Sequence, residues 1–456
     1  MKIMRGFLSG LLILLASFSA AQVAPAGPTT TLSNAEMANR VRQEFLHAWD
    51  GYKKFAWGHD ELRPLSKGYR DWYGVSLLMT PVDALDTMML MGLKPQADEA
   101  RELIATKLSF DRDIYVKNFE ITIRLLGGLL SSYQLTGDKR LLALAQDLGD
   151  RLLPAFESPT GMPYVEVNLK TGKVRNSKTN PAEIGTLLIE FGTLSKLTGK
   201  PVYYDKAKRA VVELYKRRSP IGLVGSEINV ETGAWIDPTS HISGGIDSYY
   251  EYLLKSWLLF GDRDCEQMWK TSIAAINKYL AEDVATGFWY GQADMNTGKL
   301  TGHHFGALDA FFPGTLALSG DLERARKLED SAFKMWTTYG IEPEEIDYRT
   351  MDIVYDGYVL RPEIVESAFY LQRFTGDPRY REMGWLFFDS LVKYCRTDVG
   401  FAAIKDVRKK TQEDQMESFF LAETMKYLFL LFSPPETLDL KTHVFNTEAH
   451  PIERKW

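Results

Sequence analysis

Acidic residues recur near the start of apolar, helix-like runs along this 456-residue chain. They are Asp83 and Asp86 in PVDALDTMML, Glu120 in NFEITIRLLGGLL, Glu183 in PAEIGTLLIEF, Asp247 in GGIDSYYEYLL, Asp309 in GALDAFFPG, Glu363 in LRPEIVESAFYL and Glu417 in MESFFLAETMKYLFLLF. Two carboxyl groups are what glycoside hydrolysis requires: one protonates the leaving oxygen, and the other activates water or attacks the sugar. Asp and Glu also favour the first turn of any helix, where they complement its dipole. No single position is therefore diagnostic, and spacing alone does not choose a pair. Recurrence in register is what favours the chemical reading. Glu120 and Arg124, four residues apart, can share one helix face. Arg361-Pro362-Glu363 again sets an arginine, a rigid proline and an acid together.

The elements that must position these acids are legible as a repeat. Most of the apolar runs stop at a glycine followed by a polar residue, at Gly137, Gly199, Gly261, Gly320 and Gly376. The stops lie roughly 60 residues apart, as repeated supersecondary units do. Each stop introduces a second, amphipathic helix, expected at 138–156, 202–217, 262–280, 322–338 and 378–394, with one wet face. The first helices are apolar on most sides and suit an inner layer. Inner and outer helices in alternation make an all-α fold, an α/α barrel of about seven pairs. Returns from outer to inner helix are longer and carry Asn/Thr/Gly turn chemistry, as in GMPYVEVNLKTGKV, GLVGSEINVETGAW and GFWYGQADMNTGKL, which predicts β-hairpins. Those loops fall at the end that holds the acids, where function concentrates.

Composition narrows the classes further. Hydrophobic residues make up 45% and the net charge is −6 without any basic block; this argues against nucleic acid or an anionic membrane as partner. Aromatics near the acidic segments (Trp57, Trp72, Tyr73, Trp235, Tyr249, Tyr250, Trp289, Tyr290) could stack on sugar rings, although core packing accounts for most such residues. Lys2, Arg5, the apolar stretch 6–18 and Ser19-Ala20-Ala21 predict a signal peptide over 1–21, hence an exported protein with no membrane association after cleavage. A Pro/Thr/Ala linker follows over 22–33, with a single catalytic domain over 34–456. Ser33 and Glu36 form an expected capping box. Cys265 and Cys395 fall on outer helices of units separated by another unit, which predicts two free thiols. Metalloprotease, nucleophile-elbow, P-loop and Rossmann signatures are absent from the sequence.

PVDALDT, NFEITIRLLGGL, GIDSYYEYLLK, LRPEIVES, MESFFLAETMKYLFLLF and FNTEAHP together resemble the class I α-mannosidases, glycoside hydrolase family 47, across about residues 44–451. HDELRPLSKGYRD, ALDAFFPG and TQEDQMESFFLAET look closest to the ER degradation-enhancing mannosidase-like branch, and the leader suggests a bacterial member. The resemblance implies an (α/α)7 barrel plugged by a C-terminal β-hairpin. It also implies a calcium-dependent, inverting exo-α-1,2-mannosidase acting as a monomer on mannose-containing oligosaccharides. By motif, Glu120 is the general acid, Glu363 the general base and Asp247 a third essential acid. Thr447 would bind Ca2+ through its hydroxyl and carbonyl. Glu183, Glu366, Glu417, Glu423 and Glu448 would hold calcium-bound waters or sugar hydroxyls, while Arg124, Arg361 and Phe419 match substrate contacts. The alternative that the resemblance leaves open is a non-catalytic or weakly catalytic mannose-glycan-binding protein.

Overall fold

The computed structural model describes residues 32–454; the expected signal peptide and linker residues 22–31 lie outside the described residues. The chain is mostly helical. Its first helix, α1 (Asn34–Phe55), opens on the expected box: Ser33 accepts from the Glu36 backbone and Glu36 reaches back to the Ser33 backbone.

The helices that follow alternate between a short apolar one and a longer amphipathic one: α2 (Leu85–Leu90) and α3 (Lys94–Lys107), α4 (Gly127–Thr136) and α5 (Lys139–Leu152), α6 (Leu188–Thr198) and α7 (Val202–Lys216). Next come α8 (Asp247–Phe260) and α9 (Arg263–Tyr279), α10 (Phe312–Ser319) and α11 (Leu322–Tyr339), and α12 (Glu363–Thr375) and α13 (Arg379–Tyr394). The last apolar helix, α14 (Met425–Phe432), packs on α1, so the chain's first helix completes its last pair. Among the described residues this makes seven pairs. The apolar members touch in a cycle, α2 to α4, α6, α8, α10, α12 and α14, and the turn leading into α14 returns to α2. The outer helices begin and end within a few residues of their sequence-predicted bounds. The five glycine stops are all left-handed C-caps, with φ of 71°, 72°, 69°, 94° and 70° at Gly137, Gly199, Gly261, Gly320 and Gly376, the conformation a glycine adopts without steric cost.

The apolar members are less regular than the sequence predicts. The Glu120 segment is helical over Asn118–Ile121 and then widens into a π turn over Thr122–Leu126 before α4. A second π turn, Phe420–Thr424, precedes α14. The Glu183 segment breaks after Pro181–Gly185, where a Cβ on Gly185 would lie 2.5 Å from the Tyr249 ring.

Antiparallel hairpins form at the three sequence-predicted loops, pairing Glu166–Asn168 with Val174–Arg175, Glu227–Asn229 with Trp235–Asp237, and Gln292–Asp294 with Leu300–Gly302. A terminal hairpin pairs His443–Phe445 with Pro451–Glu453 and packs against α4 and α8. One hydrophobic cluster runs through the described residues. No helix among them is long and apolar enough to cross a membrane. Cys265 and Cys395 are buried and unpaired, Cys395 sitting at the cap just beyond α13.

Candidate active site

Glu120, Asp247 and Glu363 come from three different units, yet all line one cavity of about 270 Å³. Arg124, Glu183, Arg361, Glu366, Phe419, Glu423, Thr447 and Glu448 line it too. Three kinds of element position them. Asp247 and Glu363 are the first residues of α8 and α12. Arg124 and Glu423 sit in the two π turns, which are frequent at functional sites. Thr447 and Glu448 are at the tip of the terminal hairpin.

The hydrogen bonds fix most of these side chains. Arg124 Nε donates to Glu120 Oε2 at 3.0 Å, and its Nη1 pairs with Glu448. Arg361 grips Glu344 with Nη2 to Oε2 at 2.9 Å and Nε at 3.2 Å. Both guanidinium groups lie against Phe419, 5.6 and 5.8 Å from its ring centre. Thr179 donates to Glu183 at 2.9 Å, and Tyr427 donates to Glu366 at 3.1 Å. Asp247 accepts from the Ser248 backbone at 2.7 Å. Glu363 Oε2, in contrast, is buried without a protein partner.

Burial against this acidic lining perturbs the carboxyls. Asp247 is pushed up to about 7 by burial, with Glu251 adding to it. Burial likewise lifts Glu363 to about 7; Arg361 acts against the rise, and Glu344 and Asp247 add to it. Glu423 rises well above the carboxylate range through burial and then through Glu448, Glu363 and Glu366. Eight acids line the cavity against two arginines. A buried set of like charges seeks protons or a cation.

The donor set is compatible with a hard cation. Among the described residues no three Asp, Glu, His or Cys side chains are placed to cage a metal directly. The threonine at the hairpin tip instead lines the same cavity as Glu366, Glu423 and Glu448. An all-oxygen surround with room for waters is what calcium accepts.

Not every acid of the repeat reaches the cavity. Asp83 and Asp86 are fully buried and face His450 instead. Asp309 accepts from the Gly306 backbone at 2.8 Å and borders a neighbouring basin of about 870 Å³, which meets the cavity at Gly244 and Leu308. Glu417 pairs with Arg70 at 3.4 Å and does not line the cavity. Tyr249, Tyr250, Trp289 and Tyr290 are core, whereas Trp72 lies 5.3 Å from the Arg124 guanidinium. Sequence reasoning missed Glu344, which sits in a loop before Arg361. It also missed the Glu251–Lys255 pair behind Glu366, which an i,i+4 scan of GIDSYYEYLLK would have flagged.

Comparison with known proteins supplies the context for this geometry. Residues 44–454 match glycosyl hydrolase family 47. The chain is 38% identical to alpha-mannosidase I MNS5 of Arabidopsis thaliana, over 97% of this chain and 81% of that protein. It is also 38% identical to ER degradation-enhancing alpha-mannosidase-like protein 2 of Mus musculus, over 94% and 80% respectively. The solved structure of the alpha-1,2-mannosidase from Trichoderma reesei superposes with a TM-score of 0.86 at 29% identity, covering 93% of this chain and all of that one.

Proposed function

The chain belongs to glycosyl hydrolase family 47, and on that premise we propose that it is a calcium-dependent, inverting exo-α-mannosidase that removes terminal α-1,2-linked mannose from mannose-rich glycans. The observation that carries the proposal is the meeting of Glu120, Asp247 and Glu363 with Thr447 of the terminal hairpin in one cavity. We read the closed cycle of helix pairs as an (α/α)7 barrel with that hairpin as its plug.

Glu363 is the general base in this reading. Its unpartnered Oε2 accepts a proton from water as the water oxygen bonds to the anomeric carbon. The bond from that carbon to the leaving oxygen breaks, and Glu120 supplies the proton that oxygen needs. Arg124 fixes the Glu120 carboxyl one turn away. A single displacement of this kind inverts the anomeric centre. Asp247 is the third acid of the constellation, beside the attacked carbon. Phe419 offers the apolar surface on which a sugar ring packs, while Glu183, Glu366, Glu423 and Glu448 accept sugar hydroxyls or hold metal-bound waters. Thr447 would hold calcium, which when bound supplies an electrophilic grip on adjacent sugar hydroxyls and favours ring distortion.

The test is mannose release from α-1,2-mannobiose by calcium-replete and then chelated protein. Release that calcium restores supports the reading. No release with calcium present contradicts it.

A further inference from the structure

The hairpin tip carries Thr447 and Glu448, and its anchorage is unusual: charged groups hold it in the interior. His450 is fully buried. Its Nδ1 lies 2.7 Å from Asp86 Oδ2 and its Nε2 lies 3.1 Å from Asp83 Oδ1. A carboxylate at each ring nitrogen requires a proton on both, so the ring is held as an imidazolium. Asp86 also pairs with Lys426 at 2.7 Å and accepts from Ser131 at 2.8 Å. Lys426 in turn donates to the Ala449 carbonyl of the tip at 2.6 Å.

The network continues into the cavity. Asp83 lies 3.6 Å from Arg124 Nη1, and Arg124 is the residue that grips Glu120 and Glu448. His450 therefore reaches the cavity by two routes: through Asp83 and Arg124 to Glu120, and through the tip backbone to Thr447. The backbone route is tight. Asn446 Oδ1 accepts from the Glu448 and His450 backbones at 3.0 and 2.7 Å, and Ala449 turns the tip at φ 57°. Two glycines make room for it. A Cβ on Gly127 would lie 2.6 Å from Asn446 Nδ2, and one on Gly128 would lie 3.2 Å from His450 Cε1.

We propose that His450 is a positioning residue: clamped between Asp83 and Asp86, it fixes the hairpin tip and, through Arg124, the Glu120 side chain. The roles of Thr447 and Glu120 in this inference rest on the mannosidase reading above; the anchoring of the tip does not. Removing the imidazolium leaves two buried carboxylates short of one cation, a change that costs far more than one hydrogen bond.

His450→Gln tests this. Three measurements on the full chain separate the possibilities: hydrogen exchange across 444–450, calcium affinity of chelator-stripped protein by calorimetry, and kinetics on α-1,2-mannobiose. The expected result is faster exchange at the tip with calcium binding about 10- to 100-fold weaker. At saturating calcium, kcat falls about tenfold or more while KM stays nearly constant, because Glu120 is misplaced and not lost. A folded His450→Gln protein with wild-type exchange, calcium affinity and kcat overturns the proposal. If wild-type protein neither binds calcium nor releases mannose, the mannosidase reading fails, and the exchange measurement still decides whether His450 anchors the tip. Should His450→Gln not fold, Ser131→Ala removes only the hydroxyl that supports Asp86 and carries the same test at smaller amplitude.

Discussion

Arg124 Nε, in a π turn, donates to Glu120 Oε2 at 3.0 Å in the helical segment before it, and the same guanidinium pairs with Glu448 of the terminal hairpin. One side chain thus ties an acid of the first half of the chain to one at its end. Lysine keeps the charge but offers no fork. Arg124→Lys is expected to lower kcat/KM about 100-fold with the far-ultraviolet circular dichroism unchanged. Steady-state kinetics near wild type would remove this arginine from the positioning of Glu120.

Glu363→Gln keeps the shape of the proposed base and removes its proton affinity. The account expects kcat to drop about 10²- to 10⁴-fold, with mannobiose still bound in a calorimeter. Turnover that survives this substitution takes the base role away from Glu363. Loss of binding along with turnover would assign it a holding role instead.

Activity should rise with pH as Glu363 ionises. Burial lifts this carboxyl to about 7, and Arg361 opposes the rise. Removing that positive charge in Arg361→Gln moves the acidic limb of the kcat/KM profile to higher pH, whereas a bound cation moves it lower. A limb that stays in place or moves down in Arg361→Gln contradicts the electrostatic assignment.

Without metal, the fold should lose stability as pH rises. Asp247, Glu190 and Glu363 each titrate at about 7 when folded, against roughly 4 when unfolded. Between those values the folded chain binds more protons, so stability falls with increasing pH. His450 acts in the same direction. Burial opposes its charge, but Asp86 and Asp83 outweigh that and raise it above its ordinary value, so its contribution is lost as pH rises through the raised value. His241, buried and lowered to about 4, acts in the opposite direction over the lower part of the range and is outnumbered. Chelated protein is expected to melt at a higher temperature at pH 5 than at pH 8, by scanning fluorimetry. A higher melting temperature at pH 8 would mean that the acidic cavity does not strain the empty fold.

The parts of this architecture that the sequence discloses are those specified locally. A glycine that must adopt a positive φ ends five of the seven apolar helices, at Gly137, Gly199, Gly261, Gly320 and Gly376, and that requirement is visible without neighbours. The amphipathic outer helices are equally self-declaring. The π turns are not: TIRLL and FLAET consist of residues ordinary in an α-helix, and the extra residue per turn appears only where Arg124 and Glu423 face the cavity. Nor could the acids be sorted by inspection. Asp83 and Asp86 look like the other acids of the repeat, and what reassigns them is His450, 367 and 364 residues away. Glu344 was invisible for a related reason, since its partner Arg361 is fixed by a loop fold and not by helical spacing.

The most direct test of the central claim follows α-1,2-mannobiose by proton NMR in the presence of calcium. The account predicts that β-mannose appears first, that chelation abolishes its release and that added calcium restores it. First release of α-mannose, or no release with calcium present, would contradict it.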